Sequence, residues 1–214
     1  MNVGVFDSGS GGRFVVEKLK QLLPQHNYVR VADTAHAPYG ERSYDEIMRL
    51  TDAAIQPLLR TCPIIVLACN TATAATIDVL REKYPSTVFV GFEPMIKSAA
   101  TQSRSRHMTL LATHATQYAP RTEQLIARYA PECIIDRPNT SGWARSIDEG
   151  HTQDIDVTEV KDSIERGSDS IIIGCTHYIA LMERLQELAP HAVLYEPTEA
   201  VAREISRRAG ELPQ

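Results

Sequence analysis

The chain has 214 residues, of which 43% are hydrophobic and 6% aromatic, a composition typical of a globular protein with a sizeable core. The 22 Lys and Arg residues against 27 Asp and Glu give a net charge of −5 without a basic stripe, which argues against nucleic acid as the primary partner. No secretory signal and no run of about 18 apolar residues is present, so we expect a cytoplasmic protein without a membrane span.

Short β-rich runs alternate with helical patterns along the whole chain. The predicted strands are Val3–Phe6, Tyr28–Ala32, Ile64–Ala68, Val88–Val90, Met108–Ala112, Cys133–Ile135, Ser170–Gly174 and Ala192–Tyr195. The predicted helices are Arg13–Leu23, Tyr44–Leu59, Thr73–Lys83, Gln117–Tyr129, Thr158–Arg166, Ala180–Leu188 and Thr198–Ala209. This order predicts a doubly wound α/β fold with mostly parallel sheets. Between Asp136 and Asp156 we expect an irregular segment.

Two strands end in the same way. Ile64–Leu67 leads into Ala68-Cys69-Asn70-Thr71, and Ser170–Ile173 leads into Gly174-Cys175-Thr176-His177. This repeat predicts two similar α/β domains with the active site in the cleft between them, each contributing one cysteine. The predicted domains are residues 1–93 with 196–214, and residues 94–195.

The two strand-end cysteines are the strongest candidates for chemistry. In an α/β sheet the carboxyl end of a strand opens towards the ligand, and the next helix begins there. Because a helix N-terminus favours a thiolate, we expect Cys69 and Cys175 to be bases or nucleophiles. Two matched bases suit inversion of a carbon stereocentre, which needs proton removal on one face and delivery on the other. Cys62 and Cys133 are predicted to be structural, and without a Cys-x-x-Cys pair all four thiols are expected to be free.

Two other reactions use the same residues. Cys69, Cys175 and His177 together could ligate a metal, but zinc ligands usually occur as closely spaced pairs, which this sequence lacks. A cysteine nucleophile with His177 as its base could perform acyl transfer, which would leave the second strand-end cysteine without a role.

Two loops add polar groups near these strands. In Asp7-Ser8-Gly9-Ser10-Gly11-Gly12 the glycines should allow a sharp turn that presents Asp7 and Ser8, whereas the spacing differs from that of nucleotide-binding loops. In the segment 33–40, Pro38 should set a turn and Gly40 permits unusual backbone angles, an arrangement in which backbone amide groups could face a carboxylate. His36 is expected to be a surface or supporting residue.

Four motifs, in order, give the chain a family resemblance. Asp7-Ser8-Gly9-Ser10-Gly11-Gly12, Pro38-Tyr39-Gly40, Ala68–Thr71 and Gly174–Tyr178 resemble the motifs of the glutamate racemases in the aspartate/glutamate racemase superfamily. Weaker matches at Glu93-Pro94, at Ala112-Thr113 with Thr116, and at Glu199–Ala202 extend the resemblance over nearly the whole chain.

The resemblance implies an enzyme without cofactor or metal that converts L-glutamate to D-glutamate for peptidoglycan, and it is compatible with a homodimer. Only five lysines occur, none in a recognisable Schiff-base motif. By position, Cys69 and Cys175 are the two acid/bases, and Asp7 and His177 assist them. The residues implied to hold the substrate are Ser8, Tyr39, Gly40, Asn70, Thr71, Thr116 and Thr176.

The chain departs from the family pattern in three places. Ser10 replaces a small apolar residue, the chain is shorter than is usual, and the segment Ser141–Gly150 is unlike the family's apolar stretch that ends in a glutamate. Asp148 takes the acidic position there, with Glu149 as the alternative. A racemase for aspartate or another amino acid is the nearest rival, although His177 favours glutamate. A catalytically silent ligand-binding protein on this fold is another, and the presence of both cysteines argues against it.

Overall fold

The computed structural model describes residues 1–212 of the chain. Its strands are β1 Asn2–Asp7, β2 Asn27–Ala32, β3 Ile64–Leu67, β4 Val88–Gly91, β5 His107–Ala112, β6 Ile134–Asp136, β7 Ser170–Gly174 and β8 Val193–Tyr195. Its α-helices are α1 Gly12–Leu22, α2 Tyr44–Leu59, α3 Asn70–Lys83, α4 Ile96–Gln102, α5 His114–Gln117, α6 Pro120–Tyr129, α7 Trp143–Asp148, α8 Thr158–Glu165, α9 Met182–Leu188 and α10 Thr198–Glu211. Short 3-10 helices occur at Thr34–His36, Tyr39–Glu41, Thr152–Asp154 and Thr176–Leu181.

The chain folds as two compact units with the same sheet topology. The first contains Met1–Phe92 and the segment from Pro197 onwards, and the second contains Glu93–Glu196. The first sheet has the order β2-β1-β3-β4 and the second the order β6-β5-β7-β8, with every pairing parallel. The predicted fold class, two similar α/β domains with parallel sheets, is confirmed.

In the first unit, side chains of the central strands alternate between two helical layers. Ile65 and Leu67 of β3 belong to the cluster formed with apolar residues of α2 and α3, while Ile64 and Val66 are buried outside that cluster. Helix α10 contacts α1, β3 and β4. A strand directs alternate side chains to opposite faces of the sheet. A run of four buried aliphatic residues is therefore typical of a central parallel strand with helices on both faces.

The second unit is built in the same manner. Leu111, Ile171 and Ile173 pack with residues of α7, α8 and α9. Leu110, Ala112 and Ile172 pack with residues of α4 and α6. Both sheets therefore have helices on both faces, which leaves the carboxyl ends of their strands as the place where polar loops gather.

Three α-helices were not predicted from the sequence: α4, α7 and the four-residue α5, of which only Gln117 lies in a predicted helix. Helix α4 has seven residues, too few to produce a clear apolar repeat. The prediction of an irregular segment from Asp136 to Asp156 is wrong over Trp143–Asp148, which is helical. In the part of the chain that the structure describes, no helix has both the length and the apolar character needed to cross a membrane.

Candidate active site

The first cluster of predicted site residues lies where β1 and β3 end side by side. Phe6 is in register with Leu67, and the Ala68 N–H donates to the Phe6 carbonyl at 2.7 Å. Because β2 lies beyond β1 and β4 lies beyond β3, the chain turns in opposite directions from these two strands. Ligands of open α/β sheets bind at such a point, and here it brings together Asp7, Ser8 and Cys69.

Cys69 is the N-cap of α3, and its sulfur accepts two hydrogen bonds. The donors are the Ser8 hydroxyl at 3.2 Å and the Ala72 N–H at 3.4 Å. Burial and the Asp7 carboxylate nevertheless raise the pKa of the Cys69 thiol to about 11, against the effect of these two hydrogen bonds. The effect of the helix N-terminus, which favours a thiolate, is therefore outweighed in the free protein by burial and by the Asp7 charge. With this pKa, Cys69 keeps its proton near neutral pH. The Ser8 hydroxyl and the Ala72 N–H are placed to stabilise a thiolate if the proton leaves.

The loop after β1 holds Asp7 by close backbone contact. Asp7 is buried, and its Oδ1 accepts the Gly9 N–H at 2.8 Å. A Cβ atom on Gly12 would lie 2.6 Å from the Asp7 Cβ, so only glycine fits there. The glycines with positive φ in residues 1–212 are Gly142, Gly150 and Gly167. The chain bends over residues 8–11 as predicted, and within this loop Gly12 allows the close approach to Asp7.

Tyr39 and Gly40 lie in a 3-10 helix beyond β2. The Tyr39 hydroxyl donates to Asp33 Oδ2 at 2.7 Å, and His36 Nδ1 lies 2.8 Å from Asp33 Oδ1. Burial, followed by the bond to Asp33, raises the pKa of Tyr39. Gly40 has no positive φ, so it does not use the backbone freedom that glycine permits. Asp33 was not predicted as a site residue, although it follows β2 directly, and its N–H donates to the Asp7 carbonyl at 3.1 Å.

Asn70 and Thr71 begin α3 directly after Cys69, and both are buried. Asn70 Nδ2 is buried without a hydrogen-bond partner in the structure. A buried polar group without a partner is destabilising, and Asn70 Nδ2 is thus a donor with free capacity at the carboxyl end of β3.

The second cluster lies at the corresponding ends of β5 and β7. Ala112 is in register with Gly174, which places Cys175 beside the segment Thr113–Thr116. A Cβ atom on Gly174 would lie 2.8 Å from the Ala112 Cβ, which explains the small residue before the cysteine. Thr116 is buried, and its hydroxyl accepts from the Thr113 hydroxyl at 3.1 Å. Thr176, also buried, follows Cys175 in its 3-10 helix.

The Cys175 sulfur lies next to an imidazole, which in turn lies next to a carboxylate. The sulfur lies 3.7 Å from His177 Nδ1, and both side chains are buried. On the other side of the ring, His177 Nε2 lies 3.2 Å from Asp148 Oδ2. This distance is that of an ion pair, but Nε2 lacks a well-aligned hydrogen bond. Glu149, the alternative to Asp148, is the exposed C-cap of α7.

The other two cysteines lie away from these clusters: Cys62 is buried in the core of the first unit, and Cys133 directly precedes β6. All four cysteines are free thiols. Within residues 1–212, no group of three or more His, Cys, Asp or Glu side chains is arranged to hold a metal ion.

Comparison with known proteins gives the chain relatives over nearly its full length. The family model described as Asp/Glu/Hydantoin racemase matches residues 12–205. The glutamate racemase of Herpetosiphon aurantiacus is 38% identical over 212 residues, which cover 96% of this chain and 83% of that protein. The glutamate racemase of Ectopseudomonas mendocina is 38% identical, covering 98% of this chain and 82% of that protein.

Solved structures agree with this result. The crystal structure of Escherichia coli glutamate racemase in complex with L-glutamate and the activator UDP-MurNAc-Ala superposes with a TM-score of 0.84 at 32% identity, covering 96% of this chain and 80% of that one. The fold, the paired strand-end cysteines and these matches define the protein as an amino-acid racemase, which is an isomerase. The chain belongs to the Asp/Glu/Hydantoin racemase family.

Proposed function

We propose that this protein interconverts L-glutamate and D-glutamate, with Cys69 and Cys175 as the two acid/bases. The observation that carries the proposal is the repeated geometry: each unit has a buried thiol at the equivalent strand end, with its own polar partners. The relatives named glutamate racemase, and the Escherichia coli enzyme solved with L-glutamate, support the choice of substrate. We further propose that the two compact units are the two domains, near the predicted division into 1–93 with 196–214 and 94–195.

The reaction requires one thiolate and one thiol. For L-glutamate, the Cys175 thiolate removes the Cα proton, forming S–H as the C–H bond breaks. The Cys69 thiol then delivers its own proton to the opposite face of the carbanion and becomes a thiolate. The raised pKa of Cys69, about 11, keeps that proton available until the substrate is bound. The reverse reaction exchanges the roles of the two sulfurs.

Asp7 links substrate binding to the protonation state of Cys69. Its negative charge is one reason for the raised pKa of this thiol. A substrate ammonium bound at Asp7 would compensate that charge, so the pKa of Cys69 would fall. The Ser8 hydroxyl and the Ala72 N–H would then stabilise the thiolate. At the other sulfur, His177 plays the assisting role, and Asp148 orients its ring.

The carbanion must be stabilised through the substrate carboxylate. Removal of the Cα proton spreads negative charge onto that carboxylate, and donors fixed in advance around it lower the barrier. Asn70 Nδ2 is a buried donor without a partner in the structure, which makes it the best-supported of these groups. The other proposed substrate-binding residues are Ser8, Tyr39, Gly40, Thr71, Thr116 and Thr176.

The proposed enzyme needs no cofactor, acts in the cytoplasm and supplies D-glutamate for peptidoglycan. Neither pyridoxal phosphate nor metal takes part in a reaction between two thiols and a Cα proton. Protein dialysed against a chelator and hydroxylamine should therefore keep its full rate. A loss of activity that either cofactor restores would contradict this part of the proposal.

The decisive experiment separates the two faces of the substrate. Cys69→Ala should lower racemisation by about 10²- to 10⁴-fold, the usual contribution of a general acid or base. It should still exchange the Cα proton of L-glutamate for deuterium in heavy water, because Cys175 can remove that proton and return a deuteron on the same side. Cys175→Ala should instead exchange only D-glutamate. Proton NMR of the Cα signal measures both results.

Cys62→Ala and Cys133→Ala are the matched controls, since neither thiol lies in a site cluster; both should racemise at the wild-type rate. Appreciable racemisation by Cys69→Ala or Cys175→Ala would refute the two-thiol mechanism. Racemisation of aspartate in preference to glutamate by the wild-type enzyme would refute the substrate. The same assay with no activity on any amino acid would favour a silent binding protein.

A further inference from the structure

Helix α7 has six residues, and a glycine with a positive φ marks each of its ends. Gly142, its N-cap, has a φ of 77°, and Gly150, just past its end, has a φ of 85°. The Gly150 N–H donates to the Ile147 carbonyl at 3.1 Å and the His151 N–H to the Ser146 carbonyl at 2.8 Å, which is the Schellman pattern of a helix end. So short a helix is not stable alone, and it depends on side-chain packing for its position.

That packing comes from one face of α7. Trp143, Ala144 and Ile147 are buried in the core cluster that also contains Cys175 and Tyr178. Asp148 follows Ile147, and its carboxylate lies beside His177 Nε2. Burial of the apolar face of α7 therefore fixes where this carboxylate lies.

One contact joins α7 directly to the cysteine turn. The Trp143 and Tyr178 rings meet edge to face, with centroids 5.4 Å apart and an interplanar angle of 61°. This is a favoured arrangement for aromatic pairs. Tyr178 adjoins His177 in sequence, and its N–H donates to the Cys175 carbonyl at 3.0 Å. The indole thus packs on the same turn that carries the sulfur and the imidazole.

Hydrogen bonds hold the segment that leads into α7 at the same place. The Thr140 hydroxyl donates to the Ala112 carbonyl at 2.6 Å, at the end of β5. The Tyr178 hydroxyl donates to the Thr140 carbonyl at 3.3 Å. Tyr178 is therefore bound both to α7, by its ring, and to the segment before α7, by its hydroxyl.

We propose that Trp143 is a positioning residue that acts through Asp148. Its packing on Tyr178 keeps the Asp148 carboxylate beside His177 and thereby orients the imidazole towards the Cys175 sulfur. This inference rests on the proposed function, since it assigns Trp143 to the Cys175 half of the racemase reaction. It also explains how a segment unlike the family pattern supplies the supporting carboxylate.

The test is a double-mutant cycle between Trp143 and Asp148. Trp143→Ala should slow deuterium exchange into L-glutamate about 10-fold, within the range known for groups that support a reacting ligand. Trp143→Phe should recover most of the rate, because a phenyl ring can still meet Tyr178. With Asp148→Asn already present, Trp143→Ala should slow exchange by less than about twofold, because residues that act as one unit are not additive.

Phe89→Ala is the matched control, since it removes a buried ring that pairs with Tyr84 in the first unit. Phe89→Ala should change the rate of deuterium exchange into L-glutamate by the same factor whether or not Asp148→Asn is present. Glu149→Ala, one residue past Asp148, should leave the rate unchanged. An equal effect of Trp143→Ala in both backgrounds would overturn the inference and leave Trp143 as a core residue only.

A second measurement covers the case in which Trp143→Ala does not fold. Trp143 is the one tryptophan of the chain, so its fluorescence reports the position of α7 alone. Thr140→Val removes the bond to Ala112, and it should shift the emission to longer wavelength and slow exchange into L-glutamate together. A shift in emission with an unchanged rate would contradict the inference. The failure of the proposed function would look different. In that case neither the wild-type enzyme nor the Phe89→Ala and Glu149→Ala controls would racemise glutamate.

Discussion

A methyl group at Gly12 should test how tightly the first-unit site is built. In Gly12→Ala the new Cβ would lie 2.6 Å from the Asp7 Cβ and 3.3 Å from its Cγ, whereas ordinary contacts begin at 3.4 Å. Asp7 must therefore move by about 1 Å or the loop must open, and a displacement of that size costs roughly 10²-fold in rate. Overpacking of a close-packed site should also destabilise the fold by about 1–3 kcal/mol.

The assay is the initial rate of D-glutamate formation, combined with thermal unfolding. Gly210→Ala is the matched control, because nothing lies within 4 Å of a Cβ at that position in α10. It should leave the rate unchanged and leave stability equal or slightly higher. If Gly12→Ala kept the wild-type rate, Asp7 would either tolerate displacement or take no part, and the role argued from its contacts would be wrong.

Two further predictions concern ionisation. Ser8→Ala removes a hydrogen bond that lowers the pKa of Cys69, so this pKa should rise and alkylation of Cys69 by iodoacetamide below pH 10 should slow; unchanged or faster alkylation would contradict the assignment. Burial acts to raise the pKa of Asp169, but hydrogen bonds from the Ser105 and Arg104 N–H groups and other donors lower it to about 2. A depressed carboxyl pKa stabilises the fold above the unfolded value near 3.8 and loses that contribution as pH falls towards 2. Asp169→Asn should therefore cost about 1 kcal/mol at pH 7, after allowance for solvent screening, with a smaller difference below pH 4 in urea titrations; a constant difference would refute the ionic cause.

The sequence predicts the fold well because long periodic segments determine it. Helix α2 was predicted with the observed bounds, Tyr44–Leu59, and each predicted strand corresponds to an observed strand. Helix α7 could not be predicted in this way, because it has under two turns and depends on two left-handed glycines and on Trp143 packing against a residue 35 positions later. Such a contact depends on tertiary structure and leaves no local pattern.

The site could be predicted only in outline. The strand-end positions of Cys69 and Cys175 follow from the repeat, and their neighbours at β1 and β5 follow from parallel topology. The ionisation state of Cys69 could not be predicted from the sequence. It depends on burial and on the Asp7 charge, which outweigh the helix N-terminus and are properties of the folded protein. The contact of Gly12 with Asp7 could not be predicted either, because a distance of 2.6 Å between two separated positions depends on the tertiary structure.

Helix α10 has a consequence for how the protein is made. Its buried residues Val201, Ala202 and Ile205 belong to the unit that begins at Met1, and α10 contacts α1 and β4. A ribosome releases the whole of Glu93–Glu196 before this helix, whereas domains generally mature in the order of their synthesis. The unit that carries Cys175 is thus complete in the nascent chain first. The unit that carries Cys69 waits until α10 is synthesised, and the surface of β3 and β4 that α10 contacts stays exposed until then.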